Sequence, residues 1–226
     1  TLQQIGSTTS LKSLSIKDGM VADDDLTHFA RLEGLTKLEL MTRTKEKGVF
    51  TGKGLRYLEH CELESLTLAD STLLGEAIVA MPTWETLRLL SLNPLYRHGW
   101  SNEAIESLAR FPQLRDLRLH QVKLEDSSAL LRLPVYTDLE TLLVSSTKAV
   151  DDAVVEHWVS ALPNLEVLSV ANTSVTDASL DRIAAIPKLR VLMLMEGSAL
   201  CDAANQRFKH LKPECTIKRM QWKVAR

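Results

Sequence analysis

LEVLSVANTSVTDASLDRIAAIPKL, from Leu165 to Leu189, holds one complete turn of the pattern that governs this chain. It opens with the hexamer aliphatic-x-x-aliphatic-x-aliphatic (Leu165, Leu168, Val170) and ends on the leading Leu of the next copy. Outward from it, the same hexamer begins at Leu11, Leu35, Leu63, Leu87, Leu114, Leu139, Leu165 and Leu189, reading LKSLSI, LTKLEL, LESLTL, LRLLSL, LRDLRL, LETLLV, LEVLSV and LRVLML. Successive starts lie 24, 28, 24, 27, 25, 26 and 24 residues apart, and all 24 pattern positions are Leu, Ile or Val. Self-similarity at that period predicts a solenoid with one supersecondary unit per repeat.

Within each hexamer the fourth and sixth residues share one strand face, because side chains alternate along a strand, so they point into the core with the leading Leu. Upstream, apolar residues recur nine, six and three positions before the leading Leu: Leu180, Ile183 and Ile186; Leu26, Phe29 and Leu32; Ile105, Leu108 and Phe111. That spacing predicts a short helix. Asp177, Asp151 or Asp152, Ser101 and Thr51 stand where N-caps belong, and Pro112, Pro163 and Pro187 stop the helix two residues before a leading Leu. Strands pack about 4.8 Å apart and helices about 8–10 Å. The predicted fold is therefore an α/β right-handed arc with strands concave and helices convex.

The pattern resembles the leucine-rich repeat superfamily in its helix-bearing, ribonuclease-inhibitor-like branch. Leu165 to Leu189 is similar to repeats of F-box leucine-rich proteins and of bacterial leucine-rich proteins, and LKPECTIK (Leu211 to Lys218) resembles the closing segment of the bacterial group. The resemblance implies a binding surface and names no partner. At the ninth repeat position the family often has Asn, Cys or Thr; here it reads Gly19, Arg43, Ser71, Leu95, Val122, Thr147, Thr173 and Gly197. No continuous ladder is expected, and the turns of the first six repeats are expected to be irregular.

A single domain over residues 1–226 is expected, closed by a cap over 198–226. Cys215 would take the fourth place of a ninth rung, Ile217 the sixth, and the tail through Trp222 would close the core. Leu2 and Ile5 fall nine and six before Leu11, so the chain opens inside a repeat; it reads as a piece of a longer protein. The net charge of −2 gives no global attraction to nucleic acid or anionic membrane. No run of eighteen apolar residues reads as membrane-spanning. Cys61, Cys201 and Cys215 are too few and too irregular for a disulfide framework or a zinc cluster. They tilt the compartment towards a reducing, cytoplasmic one, although Cys201 and Cys215 could pair.

Candidate contact residues follow from the strand geometry. The outward third and fifth positions carry Arg118, without an acid on the next rung, although Asp116 two residues away could hold it. The seventh-position His120 likewise lacks an acidic neighbour. The C-terminal third turns apolar at Leu143, Val167, Val191, Met193 and Met195, which marks either an interaction site or a surface covered by the tail. In the insertion NPLYRHGW, Tyr96 and Trp100 are residue types enriched at interface hot spots, or else they plug an irregular turn. The second-position charges, Arg115 and Glu140 among them, read as solubility pairs. The stretch Thr42 to Gly54 reads as a mobile, solvated loop.

No catalytic motif is present, and Glu59-His60-Cys61-Glu62 does not read as a chelate because adjacent side chains diverge. The expectation is a non-enzymatic monomer with no cofactor and no metal, binding a protein or peptide on its concave face. Substrate recognition in a larger assembly of ubiquitin-ligase type is the alternative. Nucleic-acid binding through Arg43, Lys45, Lys47 and Lys53, or through Lys218, Arg219, Lys223 and Arg226, is a lesser one.

Overall fold

The computed structural model describes residues 1–19, 21–42, 50–94, 99–124, 126–133, 135–195 and 202–220. The strands, in chain order, are β1 (Ser13–Gly19), β2 (Lys37–Thr42), β3 (Ser65–Ser71), β4 (Leu89–Pro94), β5 (Gly99–Trp100), β6 (Asp116–His120), β7 (Lys123–Leu124), β8 (Thr141–Ser145), β9 (Val167–Ser169), β10 (Val191–Met195) and β11 (Thr216–Met220). Nine of them form one parallel sheet in the order β1-β2-β3-β4-β6-β8-β9-β10-β11, and β5 pairs with β7 separately. Each hexamer thus contributes one strand beside the strand of the previous repeat. The register matches like positions: Leu38, Leu66, Leu90, Leu117, Leu142, Leu168 and Leu192 form one inward column. These leucines and the leading Leu residues from Leu35 onward are buried, whereas Leu11 and Ile16 at β1 are only half-buried.

The connecting segments differ along the chain. The α-helices are α1 (Leu2–Gly6), α2 (Gly75–Val79), α3 (Asn102–Glu106), α4 (Asp152–Ala161), α5 (Asp177–Ala184) and α6 (Asp202–Leu211). Where a helix was expected over Leu26 to Leu32, Asp23–Phe29 is a 3-10 segment, and so is Lys53–Leu58. Apolar spacing of three matches the three residues per turn of a 3-10 helix at least as well as the α period, and both bury the same side chains. Ser101 and Asp151 cap α3 and α4, accepting from Ala104 N at 3.3 Å and Val154 N at 3.0 Å. The cap of α5 is Thr176 and not Asp177, which is the first helical residue.

The connecting segments are also tied to the following repeat. Carbonyl oxygens at their ends, each already accepting one backbone N–H, take a second, side-chain donor from it. Cys61 Sγ donates to Leu32 O at 3.4 Å, Trp84 Nε1 to Leu58 O at 3.0 Å and Tyr136 OH to Leu108 O at 2.8 Å. Arg110 likewise donates to Ile78 O. The start of a segment is tied in the same way. The Asp23 carboxylate accepts from Thr51 N at 3.2 Å, Thr51 Oγ1 at 2.5 Å, and Gly52 N and Gly54 N at 3.0 Å each. Asp152 accepts from Thr176 N at 2.8 Å, from Thr176 Oγ1 at 2.5 Å and from Ser179 Oγ. The reading of Thr42 to Gly54 as a solvated loop therefore fails at its end. Phe50, Gly52 and Gly54 are buried, Gly52 has φ 93°, and a side chain on Gly54 would collide with the Asp23 backbone. Residues 43–49 lie outside the described part.

Two expectations about the turns and the end are corrected. Gln121, Ser146 and Asn172, at the same repeat position in three consecutive repeats, all take the left-handed conformation with φ 56°, 58° and 56°. The fifth and sixth repeats therefore turn as the seventh does, and Asn172 Nδ2 donates to Ser146 Oγ at 3.1 Å. At the last rung Ile217 pairs with Leu192 and Arg219 with Leu194, so Ile217 holds the fourth place and an exposed Arg219 the sixth. Cys215 is buried, and its N–H donates to Lys212 O at 3.1 Å, as Leu189 N does to Ile186 O at 3.4 Å. Cys215 thus stands in for the leading Leu, followed by one residue fewer. Cys215 and Cys61 are free thiols; Cys201 and the Trp222 tail lie outside the described residues.

Candidate functional site

The face of the sheet opposite the core is built from the third, fifth and seventh repeat positions. Its fifth-position row runs Ser15, Glu39, Thr67, Ser91, Arg118, Leu143, Ser169, Met193, Lys218 in register. The burial alternation along β6, β8 and β10 places Arg118, Leu143, Val191 and Met193 on this face, half-buried, while Leu117, Leu142 and Leu192 point inward. Val167 is likewise half-buried and sits between Thr141 and Val191. The structure therefore brings Leu143, Val167, Val191 and Met193 together on adjacent strands, with Met195 at the end of β10.

Arg118 is not unpaired. Its Nε and Nη2 donate to the two carboxylate oxygens of Asp116 at 2.8 and 2.6 Å, a two-point pair along one strand. His120 is half-buried beside this pair. Burial lowers its pKa from the usual 6.5, and the Arg118 charge lowers it further against the smaller opposing effect of Asp116. The neutral imidazole is the favoured form at neutral pH.

Trp100 requires correction as a contact residue. It is fully enclosed in the core and its indole N–H donates to Leu73 O at 3.4 Å. The insertion returns to the solenoid at β5, and Trp100 fills the space above α2, so it cannot reach a partner. Tyr96 lies outside the described residues.

A cleft of about 240 Å³ follows the C-terminal edge of the outward face. It is lined by Asn93, His120, Gln121, Ser145, Ser146, Ala171, Met195 and Met220. Apart from Gln121 and Ser146, these are the seventh-position residues of successive repeats. The row was readable by counting one place beyond each hexamer, but only His120 and Met195 stood out as residue types. Asn93 is the informative addition: its Oδ1 is buried and has no hydrogen-bond partner. An unsatisfied buried acceptor costs about 1–3 kcal/mol. At the other end Met220 is 40% exposed.

Elsewhere the chemistry is quiet. Among the described residues, no three His, Cys, Asp or Glu side chains gather closely enough to hold a metal ion, and no helix is long and apolar enough to cross a membrane. His60 and Glu59 lie 3.4 Å apart on the surface, while Cys61 turns inward, where burial and the Glu33 charge push its thiol up to about 11. Of the basic loop, Lys53 is paired with Glu76 at 2.7 Å. Arg115 and Glu140 form the expected cross-rung pair at 3.3 Å.

No protein-family model matches this chain, and no curated protein matches it. Solved structures do. An internalin (InlF) from Listeria monocytogenes strain 4b F2365 is similar over 96% of this chain, with TM-score 0.63 and 16% identity, and this chain spans 63% of that one. A chain from the Rad7–Elc1 complex of yeast is similar over 100% of this chain and 68% of its own length, with TM-score 0.70 and 18% identity. At such identities the likeness is one of fold, a leucine-rich repeat solenoid built on a parallel sheet.

Proposed function

We propose that this chain is a non-catalytic interaction module that binds a protein or peptide on the outward face of its sheet, towards the C-terminal end. With that reading go a right-handed arc with this face concave, the ribonuclease-inhibitor-like branch of the fold, a single domain and a monomeric state. One observation carries it: Leu143, Val167, Val191 and Met193 lie on three adjacent strands around Ser169, on a sheet face that no described helix covers. Contiguous apolar side chains outside the core mark interaction sites more often than not. A partner would bury them and align its polar groups against Arg118–Asp116 and His120.

A second reading, substrate recognition within a larger assembly, is favoured by the likeness to a chain from a two-protein complex, Rad7–Elc1. It uses the same face and adds only the context. The test is affinity capture with the wild type and with a double variant, Arg118→Glu with Met193→Asp, whose fold is verified by circular dichroism. The expected result is a protein retained by the wild type and lost from the folded variant. Undiminished retention by both would move the site off this face.

A further inference from the structure

We infer that the cleft at the C-terminal edge of the strand face receives a linear peptide carrying one apolar side chain and, next to it, a carboxylate that meets Lys218. This deepens the interaction reading above and rests on it. Size selects the class of ligand. About 240 Å³ spread along six neighbouring strands is a shallow groove, below the roughly 300–1,000 Å³ of sites that enclose a small molecule, and suits an extended ligand that seats a side chain at one end. The Met195 and Met220 thioethers at one end adapt to an apolar side chain of varied shape.

Charge selects the neighbour of that side chain. On the outward face Lys17 pairs with Glu39 at 3.3 Å and Arg118 with Asp116 at 2.6 Å. Lys218 is exposed, stands directly opposite Met193, and forms no ion pair with any described residue. It lies two residues before Met220 on the same side of β11, about 6.6–6.8 Å along the strand, within reach of a lysine side chain. Among the described residues, the apolar end of the face therefore carries a positive charge without an acidic partner, and its complement is acidic.

Asn93 separates a peptide from a fatty acid, which also combines an apolar chain with a carboxylate. The unpartnered Asn93 Oδ1 is an acceptor at the opposite end of the same cleft. It is buried in this conformation, and a ligand donor meets it once the side chain turns outward. A peptide backbone brings N–H groups to it, whereas a fatty acid chain has none.

The experiment is fluorescence polarisation of the whole 226-residue chain with labelled, end-blocked hexapeptide pools. One pool fixes a leucine and, two places away in either direction, an aspartate; a second replaces the aspartate by lysine; a third replaces the leucine by serine. The aspartate pool should bind about threefold to fivefold more tightly than the lysine pool, since attraction to an exposed Lys218 is replaced by repulsion, and about tenfold more tightly than the serine pool, which loses the buried leucine. Lys218→Glu, at an exposed position that leaves folding intact, should reverse the preference in favour of the lysine pool. Equal binding of the aspartate and lysine pools, or an unchanged preference in Lys218→Glu, overturns the inference. So does displacement of the peptide by dodecanoate at equal concentration, or self-association that Lys218→Glu abolishes. If the pools fail while capture of a protein remains sensitive to Arg118→Glu with Met193→Asp, this inference falls and the interaction module stands; if both fail, the reading beneath it falls.

Discussion

The first three rungs and the last three share one sheet and one inward column of leucines, yet they are held together differently. In the N-terminal part the segments behind the strands are short 3-10 pieces, Asp23–Phe29 and Lys53–Leu58, and Cys61 and Trp84 of the following repeat add second donors to Leu32 O and Leu58 O. In the C-terminal part α4 and α5 run 10 and 8 residues and carry their own N-caps, Asp151 and Thr176, with Asp152 tying α4 to the start of α5. The outward faces differ too: Ser15, Glu39 and Thr67 at one end, Leu143, Ser169 and Met193 towards the other. Both parts are clasped from repeat to repeat, by Asp23 at one end and Asp152 at the other. The difference lies in the length of the helix behind each strand, and the apolar patch lies with the longer helices.

The widest test of that contrast is in the core, where both parts should respond alike. Phe29 lies in the first 3-10 segment and Phe208 in α6, and both are fully buried. Replacement of either by Ala should cost about 3–5 kcal/mol in urea unfolding, the usual loss for a buried Phe. Because adjacent repeats share one core, each variant should still unfold in a single transition. A Phe29→Ala variant that lost under about 1 kcal/mol, or that unfolded in two steps, would divide the molecule into a loose N-terminal part and an independent C-terminal one.

The clasps between repeats come next in size and sharpen the contrast. Asp23 accepts three backbone N–H groups, from Thr51, Gly52 and Gly54, whereas Asp152 accepts one, from Thr176, and two hydroxyls. Asp23→Ala strands amide donors at the start of a 3-10 segment and should cost about 2–3 kcal/mol; Asp152→Ala, beside a helix that has its own cap, about 1–2. Acid offers a second reading of the same contact. Burial would raise the Asp152 pKa, but hydrogen bonds from Ser179 and Thr176 outweigh it and bring it below 3.8. Its contribution is therefore complete above the unfolded value and disappears as pH falls through the lower, folded one. The stability gap between wild type and Asp152→Ala, measured at neutral pH, should close as the pH is taken below 3.8. A gap that persists in strong acid would mean that the carboxylate charge is not what holds α5 to α4.

The same contrast explains what could be read without coordinates. The rungs were legible because every inward position is aliphatic and the period is nearly constant. Leu143, Val167, Val191 and Met193 were placed on one face by alternation alone. Trp100 was not resolvable, since after an insertion a strand may restart on either parity, and only packing over α2 decides. The ninth rung was misplaced because Cys215 lies 23 residues after Leu192, near a full repeat, whereas the register sets Ile217 and not Cys215 against Leu192. The clasps were hidden for a different reason: Asp23 and Thr51 are 28 residues apart, and their link is visible only as a repeat length. Asn93 carried no signal, because an unsatisfied oxygen is a property of its surroundings and not of its type.

The smallest expected effects belong to the ion pairs, and they separate the face from its rim. Arg115–Glu140 crosses between rungs at 3.3 Å through a single contact, with both side chains 49% exposed. Arg118–Asp116 makes two contacts along one strand, and Asp116 is only 19% exposed. Solvent and salt screen the first almost completely, so a double-mutant cycle should return about 0.2–0.5 kcal/mol, vanishing in molar salt. The second is less screened and its geometry is fixed by the strand, so its coupling should approach about 1 kcal/mol and survive part of the added salt. That difference bears on binding. A guanidinium already held by Asp116 cannot act as a free anchor for a partner's carboxylate, but it can present a fixed donor edge beside His120, while Lys218, beyond three intervening strands, carries a charge that no described residue pairs. Equal couplings for the two pairs would leave Arg118 as mobile as Arg115 and return it to the role of anchor.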